Sequence, residues 1–121
     1  MGVGEVVRAY VAALNAGAVA AVLDLVTADF VSEHTSALGE SFTGREEYRS
    51  RLPTFFALLP ERRYEIEDVI IDGNRVAVPY TLRTSAAVVR GVFVFMCRDG
   101  LIARRVDYWD SAEFLRQLDA T

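Results

Sequence analysis

The chain has 121 residues, of which 52% are hydrophobic and 25% charged, with a net charge of −4. That apolar content closes a core without disulfide or metal staples, so one domain over residues 1–121 is expected. All 13 basic residues are arginine and are scattered along an acidic chain, which excludes the basic surface that nucleic acid needs.

No window approaches the ~20 apolar residues that cross a bilayer, and the N-terminus lacks the basic start and unbroken apolar run of a signal peptide. Cys97 is the one cysteine and sits in the apolar run "GVFVFMC", where it reads as a small buried hydrophobe. A soluble protein in a reducing, cytoplasmic setting is expected, with no membrane partner.

Val3, Val6, Val7, Tyr10, Val11 and Leu14 recur at helical spacing, and "NAG" supplies the stop. Val19, Val22, Leu23, Leu25 and Val26 predict a second, shorter helix. The segment "ADFVSEH" follows, and strand alternation puts Phe30, Ser32 and His34 on one face and Val31 and Glu33 on the other. Thr43 precedes Glu46 at capping-box spacing, so a third helix should start near "GREEYRSRL" and run to about Leu59, kinked or split by Pro53.

After Pro60 the chain changes to runs rich in Val, Ile, Tyr and Phe, punctuated at "DGN" and "RDG". Strands are predicted at about 63–71, 75–85, 88–98 and 101–109. Asp110, three residues before Glu113, caps a short last helix "SAEFLRQL". Helices followed by an antiparallel meander define the α+β class, and a strongly curved sheet with a helix laid across it encloses a pocket.

The segments "VVRAYVAALNAG", "ADFVSEH", "FTGREEY" and "VRGVFVFMCRDGLIARRVDYWDSAEFLRQL" together resemble the cone-shaped nuclear transport factor 2-like superfamily, in its SnoaL-like and ketosteroid-isomerase-like branch. The likeness covers nearly the whole chain. It implies a pocket for a small, apolar, carbonyl-containing or polycyclic molecule, no cofactor, and a homodimer formed through the outer face of the sheet. It says less about chemistry, because this fold hosts isomerases, cyclases, hydrolases and proteins with no reaction.

His34, the only histidine, stands where the similar isomerases carry the aspartate that shuttles the substrate proton. An imidazole with an ordinary pKa near ~6.5 is competent for that task. The plainer reading is a strand-end histidine bonded to a loop carbonyl. On the last strand, Arg105, Asp107 and Trp109 share one face with Ala103, and the resemblance turns that face toward the pocket. Asp107, held ionised by Arg105, would orient His34 or transfer the proton itself, unless the two form only a surface ion pair.

The resemblance also makes Tyr10 an oxyanion donor, although Tyr10 equally fits the apolar stripe of its helix. The second oxyanion acid of the isomerases has no counterpart, since Val94 or a neighbour in "GVFVFM" occupies that place. Trp109, Tyr80, Leu82, Phe55, Phe56 and Phe42 are expected as apolar walls. Arg90, placed with Val92, Val94 and Met96, is expected either as a pocket cation or as a cross-strand partner for a carboxylate. The outer face is assigned Phe93, Phe95, Val106 and Tyr108. One histidine and one cysteine make no zinc site, and no acidic loop has calcium spacing.

The chain is therefore expected to be a cofactor-free acid/base enzyme, an isomerase or aldol-type polyketide cyclase. In this reading His34 is the base, Asp107 the orienting carboxylate or acid, Arg105 the group that sets its charge, and Tyr10 the oxyanion donor. A non-catalytic binding module and an epoxide-hydrolase-like enzyme are the alternatives; the latter needs a second carboxylate facing Asp107.

Overall fold

A computed structural model describes residues 1–120. Helix α1 (Val3–Ala16) turns its valines and Tyr10 inward and stops at Gly17, whose positive φ of 67° directs its N–H back to Leu14 O. Helix α2 (Val19–Leu23) is shorter than the spacing predicts, because Val26 already belongs to strand β1 (Val26–His34). A two-residue strand β2 (Phe42–Thr43) precedes helix α3 (Arg45–Leu58).

Neither the capping box nor the split expected in α3 is found. The helix is capped by Gly44 without a side-chain bond, while Arg45 reaches back to Val26 O. Nor does Pro53 split it. Pro53 and Arg49 both face solvent, so the carbonyl deprived of its partner is left to water.

Strands β3 (Arg63–Ile66), β4 (Ile70–Asp72), β5 (Arg75–Arg83), β6 (Val88–Arg98) and β7 (Leu101–Trp109) follow, and helix α4 (Ser111–Asp119) comes last. Asp110 caps α4 by accepting from the Glu113 N–H at 2.9 Å. The strand order is β2-β1-β7-β6-β5-β3, with β4 also on β5. The sheet is mixed rather than wholly antiparallel, because β1 lies parallel to β7. This pairing puts Ser32 beside Arg105 and His34 beside Asp107 on the concave face.

Two rows of cross-strand neighbours form the floor of the cone: Val78–Phe93–Asp107–His34 and Val76–Phe95–Arg105–Ser32. Phe93 and Phe95 thus belong to the core, at 1% and 0% exposure, and not to the outer face. The outer face carries the alternate residues Val92, Val94 and Met96 of β6 with Val106 and Tyr108 of β7. At the start of β7 the register shifts, so Ile102 rather than Ala103 enters the core. Helix α1 crosses the floor with Tyr10 edge-on to Phe95, and α3 closes one side with Tyr48 stacked on Phe30. No helix among the described residues is long and apolar enough to cross a membrane.

Candidate active site

Between the concave floor, α3, α4 and the segment 35–41 lies a cavity of about 800 Å³. Most of its wall is apolar. Tyr48, Leu52, Phe55 and Leu59 descend from α3 at helical spacing, Phe114 and Leu118 come from α4, and Phe42 and Leu82 from the sheet. On the floor, His34, Arg105, Asp107, Tyr80 and Tyr48 form one connected polar cluster, and Trp109 also lines the cavity.

Asp107 is 5% exposed. Its Oδ1 accepts from the Tyr80 hydroxyl at 2.6 Å. Gly91 makes that bond possible, since a Cβ there would fall 2.5 Å from the Tyr80 oxygen. Burial pushes the Asp107 carboxyl above its ordinary range, and the pull of Arg105 and Tyr80 offsets this only in part. Arg105 thus pulls Asp107 toward its ionised form, as expected, but against a larger opposing effect of burial.

Asp107 Oδ2 lies 3.8 Å from His34 Nδ1, beyond hydrogen-bond reach. Burial first, and then the Arg105 guanidinium, lower the His34 pKa to about 4, so the imidazole is neutral at physiological pH. Arg105 Nη2 faces His34 Nε2 at 3.5 Å. A guanidinium only donates, which assigns the ring proton to Nδ1, on the side of Asp107.

Arg105 has no direct carboxylate partner among the described residues. It donates to Tyr10 Oη at 2.5 Å and to Ser32 Oγ at 2.7 Å, and lies over the Phe93 ring at 5.5 Å. Arg105 Nη1 also reaches Tyr48 Oη at 3.3 Å, and the Tyr10 and Tyr48 hydroxyls share a hydrogen bond of 2.5 Å in which either can be the donor. Tyr10 itself is fully buried and does not line the cavity, so Tyr48 is the member of the pair that does. The sequence reading missed Tyr48, yet the stripe Tyr48, Leu52, Phe55 was visible as helical spacing.

Three residues expected at the wall lie elsewhere. Arg90 is on the outer face with Thr81 and so is no pocket cation; it pairs with Glu67 at 2.8 Å, the other of its two expected roles. Val94 is outward for the same reason of alternation, and inward-facing Phe93 stands beside Asp107 in its place. Phe56 lies under the Arg62 guanidinium at 4.0 Å, so of the two expected phenylalanines only Phe55 reaches the cavity. The other carboxylates on the wall are Glu40, exposed and paired with Arg51, and Glu61. Among the described residues none confronts Asp107, so the hydrolase arrangement lacks its third member. No group of His, Cys, Asp and Glu among the described residues is arranged to hold a metal.

A model of the SnoaL-like domain matches residues 7–105, from α1 to Arg105 itself. The chain belongs to the SnoaL-like family. Its fold is the nuclear transport factor 2-like cone. IdmH, a candidate polyketide cyclase from Streptomyces antibioticus, superposes with a TM-score of 0.85 at 17% identity, covering 98% of this chain and 99% of that one. TerC, co-crystallised with polyporic acid, gives 0.79 at 23% identity over 97% and 98%. A candidate ketosteroid isomerase from Kribbella flavida DSM 17836 gives 0.75 at 26% identity over 88% and 76%. No curated protein sequence matches the chain.

Proposed function

We propose that this SnoaL-like protein is a cofactor-free acid/base enzyme that removes a proton next to a carbonyl of a small, largely apolar, cyclic molecule. Isomerisation and intramolecular aldol cyclisation both begin with that step. The observation that carries the reading is Asp107: a buried carboxylate on the floor of a largely apolar cavity, anchored through one oxygen by Tyr80 and raised in basicity by desolvation. Asp107 takes the proton.

Neutral His34, with Nδ1–H toward Oδ2, lies beside the carboxylate without neutralising it, and is a poorer base because Arg105 faces its lone pair. The developing enolate oxygen is met by the Tyr48 hydroxyl when Tyr10 donates to Tyr48, with the Arg105 guanidinium against both phenol oxygens at 2.5 and 3.3 Å. Trp109 and Phe114, edge to face at 5.6 Å, offer flat walls to a cyclic ligand. The candidate cyclase and candidate isomerase among the structural relatives are consistent with this class of substrate.

The test is a series of naphthols of increasing acidity, used as enolate mimics and followed by fluorescence. Affinity should rise with acidity in the wild type, and Tyr48→Phe should flatten the trend. Equal affinity for all members in both proteins would leave a binding module as the better reading.

The outer sheet face supports a homodimer. The rows Ala77–Val94–Val106 and Pro79–Val92–Tyr108 are apolar across three strands, and Tyr108 and Met96 remain 49% and 40% exposed. Light scattering should give twice the chain mass at micromolar concentration and a monomer for Val94→Glu; a monomeric wild type would remove the dimer. Buried Cys97 suits a reducing, cytoplasmic location.

A further inference from the structure

The backbone at Gly39 lies directly against the His34 ring. Its φ is 90°, and a Cβ at that position would fall 2.7 Å from His34 Nδ1, 2.8 Å from Cγ and 3.1 Å from Cε1. Real Cβ atoms do not approach so closely, so any other residue must displace the ring or lift the segment. The segment is tied at three places. Thr35 donates both its N–H and its hydroxyl to Asp107 O, Ser41 Oγ accepts from the His34 N–H at 3.1 Å, and Glu40 pairs with Arg51 of α3 at 3.0 Å.

We infer that Gly39 is a positioning residue for the acid/base pair: its bare Cα seals the imidazole of His34 against Asp107 and keeps solvent from Nδ1. His34 Nδ1 is buried without a hydrogen-bond partner in agreement with this, having glycine on one side and a carboxylate at 3.8 Å on the other. The charged and titratable groups facing the ring are Arg105 and Asp107 of β7, with Tyr80 of β5 behind Asp107 and Tyr48 of α3 and Tyr10 of α1 behind Arg105. None of them comes from the segment 35–41, so the segment acts on His34 through exclusion of water and not through charge. The inference concerns the geometry of the pair and stands whether or not Asp107 accepts a substrate proton.

The experiment is an NMR titration of the single histidine in wild type, Gly39→Ala and Gly100→Ala. Gly100 has a comparable φ of 77° with nothing within 4 Å of where a Cβ would stand, so its variant carries the backbone strain without the contact. Gly39→Ala should raise the His34 midpoint by about one unit or more toward the solvent-exposed value near 6.5, whereas Gly100→Ala should leave it unchanged. Should Gly39→Ala fail to give a folded spectrum, Ser41→Ala decides. It keeps the glycine but removes the oxygen that ties the segment to His34, and it should raise the midpoint in the same direction. A folded Gly39→Ala, or failing that a Ser41→Ala, with the wild-type midpoint would overturn the inference.

Discussion

Replacing Tyr80 with Phe deletes one hydroxyl from the cavity floor and leaves the aromatic packing on Tyr64 and Phe93 in place. That hydroxyl donates to Asp107 Oδ1 at 2.6 Å between residues 1% and 5% exposed. A hydrogen bond to a charged acceptor is worth ~1.5–3 kcal/mol and one to a neutral acceptor ~0.5–1.5. The variant should therefore lose about 2 kcal/mol while Asp107 is ionised and about 1 kcal/mol once it is protonated. The folded-state pKa of Asp107 is raised, so the folded chain takes up this proton before the unfolded chain as pH falls. The extra penalty is present above the folded pKa and vanishes below it. Urea denaturation of both proteins over a series of pH values measures the difference, and the His34 contribution cancels between them to first order. A deficit that stays constant with pH, or grows as pH falls, would refute the reasoning.

The low pKa of His34 carries the opposite linkage. The unfolded chain protonates at the ordinary value near ~6.5 and the folded chain only near about 4, so this term lowers stability as pH falls through that window, by up to about 3 kcal/mol. His34→Gln should remove that part of the acid slope in urea denaturation; an unchanged slope would contradict the assignment. Arg62 is 7% exposed and donates to Leu14 O from Nε and Nη2 and to Leu59 O from Nη1, tying the end of α1 to the end of α3. Arg62→Ala should cost about 2–3 kcal/mol, read from the denaturation midpoint, and an unchanged midpoint would show those bonds to be of no consequence.

Much of this was legible where a local rule had a single solution. The Gly73 and Gly100 turns bracket the hairpins, Asp110 caps α4, and the alternation of Phe30, Ser32 and His34 places the histidine on the concave face. The face of β6 was not legible, because its run is apolar on both sides: Phe93 and Phe95 fill the core while Val92, Val94 and Met96 cover the outside. Strand period shows that two faces exist, and only pairing decides which one turns inward. Val94 and the pocket-cation reading of Arg90 were misplaced with it, while the carboxylate partner expected for Arg90 is Glu67. The parallel pairing of β1 with β7 is a long-range choice that no neighbouring residue encodes. Tyr48 was hidden for a different reason: α3 buries only Tyr48 and Leu52, and its many charges mask a stripe that faces a cavity instead of a packed core.

The central claim is that Asp107 removes a proton beside a carbonyl held in the cavity. The most direct measurement is deuterium uptake at the α-carbon of an enolisable cyclic ketone such as β-tetralone, followed by proton NMR in heavy water with wild type, Asp107→Asn and His34→Gln. The account predicts exchange well above the buffer rate in the wild type, near-background exchange in Asp107→Asn, and a smaller loss in His34→Gln, with all three proteins folded. Exchange that persists in Asp107→Asn and disappears in His34→Gln would contradict it and return the base role to the histidine.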